Sequence, residues 1–256
     1  MSDRLVDPDY LRLQYSDDER LRTRIETHRR YSERSDDFHR WLLERLDARP
    51  GTRVLDVGSG PGAYHDRLTH ARLVALDLSA GMLAKVRVPK VRADAQALPF
   101  PDHAFDRVLC AYVLFHVPDI RRALGELRRV VRRGGRVVIA TNSRTTMHPL
   151  FELQREVARE LGLPEEQTVG ARFGLEDADL VHKIFPAARM EVFDDAFRFP
   201  AADPVLAYVA TMAVGTWPAH KRAAFLGRLR DRIAAIIARD GVFRVPKRSG
   251  CFVADA

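Results

Sequence analysis

The chain has 256 residues, a formal net charge of +7 from 42 Lys and Arg against 35 Asp and Glu, and two cysteines. That length buries one sizeable core with room for a cap, and no uncharged apolar run approaches the roughly 20 residues of a membrane-spanning helix. Met1-Ser2-Asp3-Arg4 lacks the apolar core of a signal peptide, and Cys110 and Cys251 carry no metal-ligand spacing. The expectation is a cytoplasmic protein with neither a metal nor a membrane partner.

Leu5 to about Arg49 reads as helical and polar, with Phe38, Trp41, Leu42 and Leu46 forming one apolar stripe near its end. Arg24, His28 and Tyr31 stand at i, i+4 and i+7 and share a helix face. A solvated face is the plain reading; the alternative closes it over a ligand carboxylate or a substrate. Asp47-Ala48-Arg49-Pro50-Gly51 breaks the helix, and Val54-Leu55-Asp56-Val57 reads as a buried strand running into Gly58-Ser59-Gly60-Pro61-Gly62. A helix is predicted from about Ala63 to His70, aiming its free N–H groups at whatever the loop holds.

Three further strands follow: Leu73 to Asp77, a short one closing on Asp94, and Asp102 to Ala111 after a turn. A helix with Ala123, Leu124, Leu127, Val130 and Val131 as its buried stripe then leads to the fifth strand. Arg121, Arg122, Arg128, Arg129, Arg132, Arg133 and Arg136 crowd this helix and turn with only Glu126 opposing, which reads as a solvated basic face rather than an RNA surface. Strand–helix alternation up to Asn142 predicts a parallel sheet covered on both faces. Beyond it come a helix at Pro149 to Leu161, a loop with Gly162, Pro164 and Gly170, and a helix starting at Gly174. Met190 to Phe193 reads as an edge strand with Phe197-Arg198-Phe199 beside it. Asp203 is read as capping a helix through Met212, a longer helix spans Pro218 to Arg239, and Val242 to Val245 with Cys251 to Ala254 suggests a closing hairpin.

The loop carries the chemistry. Gly58, Gly60 and Ala63 satisfy the dinucleotide spacing G-x-G-x-x-G/A. Asp56 beside a pyrophosphate would be repulsive, whereas beside the sulfonium and ammonium of S-adenosylmethionine it would be favourable. Asp77, about twenty residues on, is placed to accept ribose hydroxyls from either cofactor. Asp94 is placed to accept from an adenine amino group.

The chain resembles class I S-adenosylmethionine-dependent methyltransferases of the type 11 group. The likeness rests on Asp56 to Gly62, Asp77 to Leu83, Asp94 to Phe100, Phe105 to Val108, Leu114 to Asp119, and Val131 to Val138, in order from roughly Arg53 to Thr141. It implies an α/β, Rossmann-like sheet of seven mostly parallel strands with the last antiparallel, helices on both faces and a helical cap. The expected division is a cap over 1–49 and a methyltransferase domain over 50–256, with substrate-region insertions about 143–186 and 200–241. The resemblance places Asp56, Gly58, Ser59, Gly60, Gly62, Asp77, Leu78, Met82, Asp94, Ala95 and Ala111 at S-adenosylmethionine, with S-adenosylhomocysteine as product.

Methyl transfer is in-line displacement at an activated carbon, so no conspicuous catalytic residue is required. Tyr112, His116, His28 and Tyr31 are the catalytic candidates, and Arg24, Arg144 and Trp217 the substrate candidates. Cys110 is not preceded by proline, and Ala111-Tyr112-Val113 lacks the Asn/Asp-Pro-Pro-aromatic sequence used on base amino groups. A small-molecule acceptor therefore leads. RNA methylation and a nicotinamide-dependent oxidoreduction are the alternatives.

Overall fold

A computed structural model describes residues 19–165 and 172–256. The predicted helix before residue 19 and Gly170 lie outside the described residues. Five strands pair in parallel: β1 (Arg53–Val57), β2 (Arg72–Asp77), β3 (Lys90–Arg92), β4 (Phe105–Ala111) and β5 (Val131–Asn142). β6 (Arg189–Phe199) and β7 (Phe243–Asp255) complete the order β3-β2-β1-β4-β5-β7-β6, with β7 antiparallel to both its neighbours. This is the sheet expected from the sequence.

Parity along β1 sorts the core. Leu55 and Val57 face a cluster with Ala123, Leu124, Leu127 and Val130 of α4 (Ile120–Val130), as the apolar stripe predicted. Val131 belongs to β5, which begins where α4 stops. Val54 faces the other side, against Leu42 and Leu46 of α2 (Phe38–Leu46) with Tyr64 and Leu68.

The predicted helix from Ala63 to His70 is replaced by turns and a 3₁₀ helix at His65–Arg67. The next crossover is equally short, with only α3 (Ala80–Leu83) before β3.

The arginines of α4 and the start of β5 are less solvated than expected. Arg129 donates to Glu126 at 2.7 Å, Asp102 at 2.9 Å and the carbonyls of Leu98 and Phe100. Arg132 binds Asp106 at 2.6 Å, Arg136 binds Asp255 at 2.6 Å, and Arg122 donates to the carbonyl of Gln96. Arg122 and Arg129 staple the segment before β4 to the helix, while Arg132 and Arg136 tie β5 to Asp106 of β4 and Asp255 of β7.

β6 and β7 pair without interruption from Arg189↔Val253 to Phe199↔Phe243, so the two short strands and the terminal hairpin read from sequence are one long ribbon. Pro246 is tolerated because β5 has already ended at Asn142↔Ser249, leaving no ladder on that side. The outer half of the ribbon carries a helical layer: α1 (Glu19–Tyr31), α5 (His148–Glu160), α7 (Ala202–Ala210) and α8 (Ala219–Asp240). Phe197, Phe199, Phe243 and Val245 are buried there among Leu150, Val209, Phe225 and Leu229. Between these elements, α6 (Ala178–His182) places Val181 in the sheet core. Asp203 lies inside α7 rather than capping it, and pairs with Arg230.

A buried cation latches α1 to the ribbon. Lys247 Nζ donates to Asp195 Oδ2 at 2.7 Å and Ser32 Oγ at 2.7 Å, stands 3.2 Å from His28 Nδ1, and covers the Phe197 ring at 3.9 Å. Removing one member of a buried pair strands the other, at a typical cost of about 3–5 kcal/mol. Lys247→Met is expected to lose about that much in urea unfolding, and Asp195→Leu/Lys247→Met to regain most of it. A double variant no more stable than the single one would show that the pair is not what α1 depends on.

A candidate cofactor site at the carboxyl end of the sheet

Strand order reverses between β2-β1 and β4, which opens a crevice above the carboxyl ends of β1 and β4. The glycine loop lies at that point, with Gly58, Gly60 and Gly62 at φ +69°, +55° and +91°, a region costly for residues with a Cβ. A Cβ on Gly58 would also collide with the Val113 side chain, and one on Gly62 with the His65 ring. Gly60 has open space around it, so its requirement is purely conformational.

The loop's own N–H groups are already spent. Gly58 and Ser59 donate to the Leu76 carbonyl at 2.7 and 3.0 Å, Gly60 to Asp77 Oδ2 at 2.9 Å, and Gly62 to the Ser59 carbonyl at 3.0 Å. A pyrophosphate cradle needs such donors pointing outward. Here they point into the protein, and no α-helix amino terminus follows the loop.

Asp77 accepts from Gly60 through Oδ2 and from Ser79 N through Oδ1 at 2.8 Å. Burial lifts its carboxyl above the usual range, against the pull of these backbone donors. Ser79 caps α3 by accepting from Met82 N, and Leu78 between them is 59% exposed. Met82 is buried beneath that cap rather than open to the crevice. Asp94 follows β3, whose Arg92 pairs with Asp77, so the two carboxylates share one edge. Its oxygens are held by the Gln96 amide at 2.9 and 3.1 Å. Ala95 beside it is buried, and Ala111 ends β4.

Asp56 requires correction. Strand alternation turns it to the same side as Val54, where it is 1% exposed and lies 3.0 Å from His65 Nε2. Burial raises its carboxyl, and His65 works in the opposite direction. The carboxylate is therefore bonded beneath the loop, where it holds His65 against Gly62. His65 itself escaped the sequence reading; its place just after the glycines was the available signal.

Of the catalytic candidates, Tyr112 alone sits on the crevice edge. It takes φ +62°, continues the ladder by donating to the Ala140 carbonyl at 2.9 Å, and is followed by the Val113 that packs on Gly58. Burial drives its phenol far above its ordinary value, so it stays protonated, and its hydroxyl is hydrogen-bonded to Ser249. His116 belongs to the 3₁₀ turn Leu114–His116, its ring 4.4 Å from that of Phe115, leading into α4.

The remaining candidates pack elsewhere. His28 is in the Lys247 latch, Tyr31 stacks on Phe199 at 5.1 Å, and Arg24 donates to Thr211 Oγ1 at 2.9 Å and to its carbonyl at 2.6 Å. Their shared face is the one that docks α1 on the ribbon, with Arg24 and Tyr31 half-buried and His28 exposed beside Lys247. Arg144 binds Asp177 at 2.7 Å, and Trp217 packs on Phe225 at 5.2 Å in the helical layer over the ribbon. Cys110 is fully buried, its thiol pushed up by burial.

The methyltransferase domain family matches residues 55–139, the span that holds the glycine loop, Asp77, Asp94 and Tyr112. The match covers about a third of the chain, and the antiparallel β7 lies between β5 and β6 outside it. Over that span the chain resembles the class I S-adenosylmethionine-dependent methyltransferases. Demethylmenaquinone methyltransferase of Renibacterium salmoninarum is 40% identical over 126 residues, 46% of this chain and 53% of the relative. The chain thus spans about half the length of the curated relatives it matches. Among solved structures, the YcgJ protein of Bacillus subtilis superposes with TM-score 0.56 at 18% identity, covering 85% of this chain and 97% of that one. The [4+2]-cyclase SpnF does so at 0.54 and 18%, covering 88% and 87%. These two likenesses show the fold alone.

Among the described residues, no group of three or more His, Cys, Asp and Glu side chains is placed to hold a metal. Nor is any helix there long and apolar enough to cross a membrane. Asp77→Ala removes both the loop anchor and the predicted ribose acceptor. Calorimetry is expected to show S-adenosylhomocysteine affinity falling at least about tenfold, or roughly 1.4 kcal/mol. Unchanged affinity would remove Asp77 from the cofactor site.

Proposed function

We propose that the protein transfers a methyl group from S-adenosylmethionine to a small-molecule acceptor by in-line displacement. The observation that carries this reading is the inward commitment of the loop N–H groups at Gly58, Ser59, Gly60 and Gly62. Such a loop presents bare glycine backbone and carbonyl oxygens, which suit a ligand that is cationic at its centre and has no phosphate. This replaces the sequence argument from Asp56. It counts equally against a nicotinamide dinucleotide.

Asp77 would hold the ribose, Leu78 and Ala95 would flank the adenine with Asp94 near its amino group, and Gly58 to Gly62 would underlie the amino-acid portion. The sulfonium supplies an electrophilic methyl carbon, so the chain's task is alignment and exclusion of water, for which orientation is worth about 7–11 kcal/mol. Tyr112 contributes as a hydrogen-bonding group, since a phenol driven upward in pKa is no base near neutrality.

A small acceptor is favoured over RNA by the state of the cations. The cleft of about 350 Å³ beside the ribbon is lined by Thr145, Asp194, Asp195, Arg244, Pro246, Lys247 and Arg248. Lys247 is neutralised by Asp195, Arg244 pairs with Glu33 at 2.8 Å, and Arg248 lies 3.7 Å from Asp194. Arg144 is absent from that lining and bound to Asp177. The name of the Renibacterium relative supports a small acceptor too.

Calorimetry with S-adenosylhomocysteine and with NAD tests the cofactor, and transfer of a labelled methyl group to a panel of small acceptors tests the reaction. Binding of the first compound and not the second is expected, with turnover insensitive to ribonuclease. Tighter binding of NAD would end the proposal. Labelling confined to RNA, weakening steeply with salt, would move the acceptor to the second class.

A further inference from the structure

Two arginines meet at the turn between α7 and α8 with no carboxylate between them. Arg20, in the first turn of α1, lies against Gly215 of the 3₁₀ turn Ala213–Thr216: a Cβ built on that glycine would stand 3.6 Å from its Nη2. Arg222, in the first turn of α8, donates to the Gly215 carbonyl at 3.1 Å. Both side chains are part-exposed, yet Nη1 of Arg20 is buried without a hydrogen-bond partner. Among the described residues neither guanidinium has an acidic partner. Arg24, one turn along α1, donates to Thr211 Oγ1 at 2.9 Å and so fixes Arg20 at this turn.

Packing alone does not call for this. Arg45, Arg107, Arg129 and Arg136 are part-exposed as well, and each meets a carboxylate: Glu191, Asp47, Glu126 and Asp255. A guanidinium N–H buried without an acceptor has given up its water for nothing, and hydrogen bonds to charged groups are the costly ones to leave unmade. The surrounding chain has no acceptor to offer. From Pro204 to Arg230 there is no Asp or Glu, while His220, Lys221 and Arg222 follow one another in the same stretch. The first turn of α8 carries no acidic side chain either. Arg20 is therefore brought by α1 into surroundings that are already positive.

α7 connects this turn with the crevice. Thr211 Oγ1 donates to the Tyr208 carbonyl at 2.6 Å, and the Tyr208 ring stands 5.5 Å from that of Phe197. The Tyr112 phenol is raised by burial and, through space, by Tyr208. One end of α7 thus reaches the side chains around Tyr112, and the turn after its other end holds the two arginines. The guanidinium fork matches a carboxylate or a phosphate in two parallel hydrogen bonds. Two half-buried forks converging on one residue suit a single anionic group. A nucleic-acid backbone would need an exposed row of them.

We propose that Arg20 and Arg222 form an oxyanion site in the helical layer, which takes a carboxylate or phosphate group of the methyl acceptor. The assignment to the acceptor rests on the methyltransferase reading; anion binding itself is measurable without turnover. The probes are benzoate, phenyl phosphate and the neutral benzamide, titrated calorimetrically at constant ionic strength with and without S-adenosylhomocysteine. Charge is what separates benzoate from benzamide, and the better of the two anions tells a carboxylate acceptor from a phosphate one.

The better anion is expected to bind at least about tenfold tighter than benzamide, and Arg20→Gln and Arg222→Gln each to cost it about tenfold. Arg20→Lys keeps the charge and is expected to cost less. Arg230→Gln, which removes an arginine paired with Asp203 elsewhere on α8, is expected to cost nothing. Affinity for S-adenosylhomocysteine should hold in all four; if Arg20→Gln loses it, Arg20→Lys carries the comparison. Benzamide binding as well as both anions, or anion affinity indifferent to Arg20→Gln and Arg222→Gln, would overturn the site. Mutual exclusion of the anion and S-adenosylhomocysteine would hand the arginines to the cofactor's own carboxylate and overturn the acceptor assignment. Anion binding that depends on Arg20 in a protein that fails to bind S-adenosylhomocysteine would uphold the site and sink the cofactor reading instead.

Discussion

One carboxylate sets the geometry of the site. Asp77 accepts from the backbone of Gly60 and of Ser79 at once, joining the glycine loop to the start of α3 across the end of β2. The left-handed glycines need such an anchor. Free glycine backbone loses more conformational entropy on ordering than any other residue, and the loop has no helix behind it to fix its exit. With the Leu76 carbonyl taking Gly58 and Ser59, the loop is bound to β2 by three hydrogen bonds before any ligand arrives. A ligand can then use Asp77's remaining lone pairs without the loop having to form around it.

The elements around this anchor are economical. Crossovers on the β1-β2-β3 side are too short for full helices, so turns cover that end. The helical mass instead lies over the β6–β7 ribbon, where aromatic side chains build a second core. The two cores are linked by α1 and α2: the first is latched by Lys247 and Arg24, the second laid along β4 and β5 with its amino end at the crevice. That placement lets one linker, with Ser32 bridged to Phe197, bring ring-bearing residues to the point where β4 ends.

Much of the sheet was legible because each strand ends in a chemically distinct residue. Asp56, Asp77, Asp94 and Ala111 follow apolar runs, and their order gave both the strand sequence and the reversal point. The errors have physical causes. Asp56 was read for its charge, while the parity of a two-residue repeat decides which face it occupies, and that face is closed by His65. The long ribbon was read as fragments because Asp194, Asp195, Lys247 and Arg248 interrupt its apolar alternation. Those charges face one another in register and offset each other, which a linear reading cannot see. Arg24, His28 and Tyr31 were rightly grouped on one face; whether solvent, ligand or a neighbouring strand meets that face depends on contacts nearly two hundred residues away.

The account turns on what the glycine loop holds, and a crystal structure grown with S-adenosylhomocysteine is the most direct measurement. The expected result places the ribose hydroxyls on Asp77 with Gly60 N still donating to it, and the thioether sulfur directed toward Tyr112. A loop filled by the phosphates of a nucleotide, with its N–H groups turned outward and Asp77 swung away, would contradict the account.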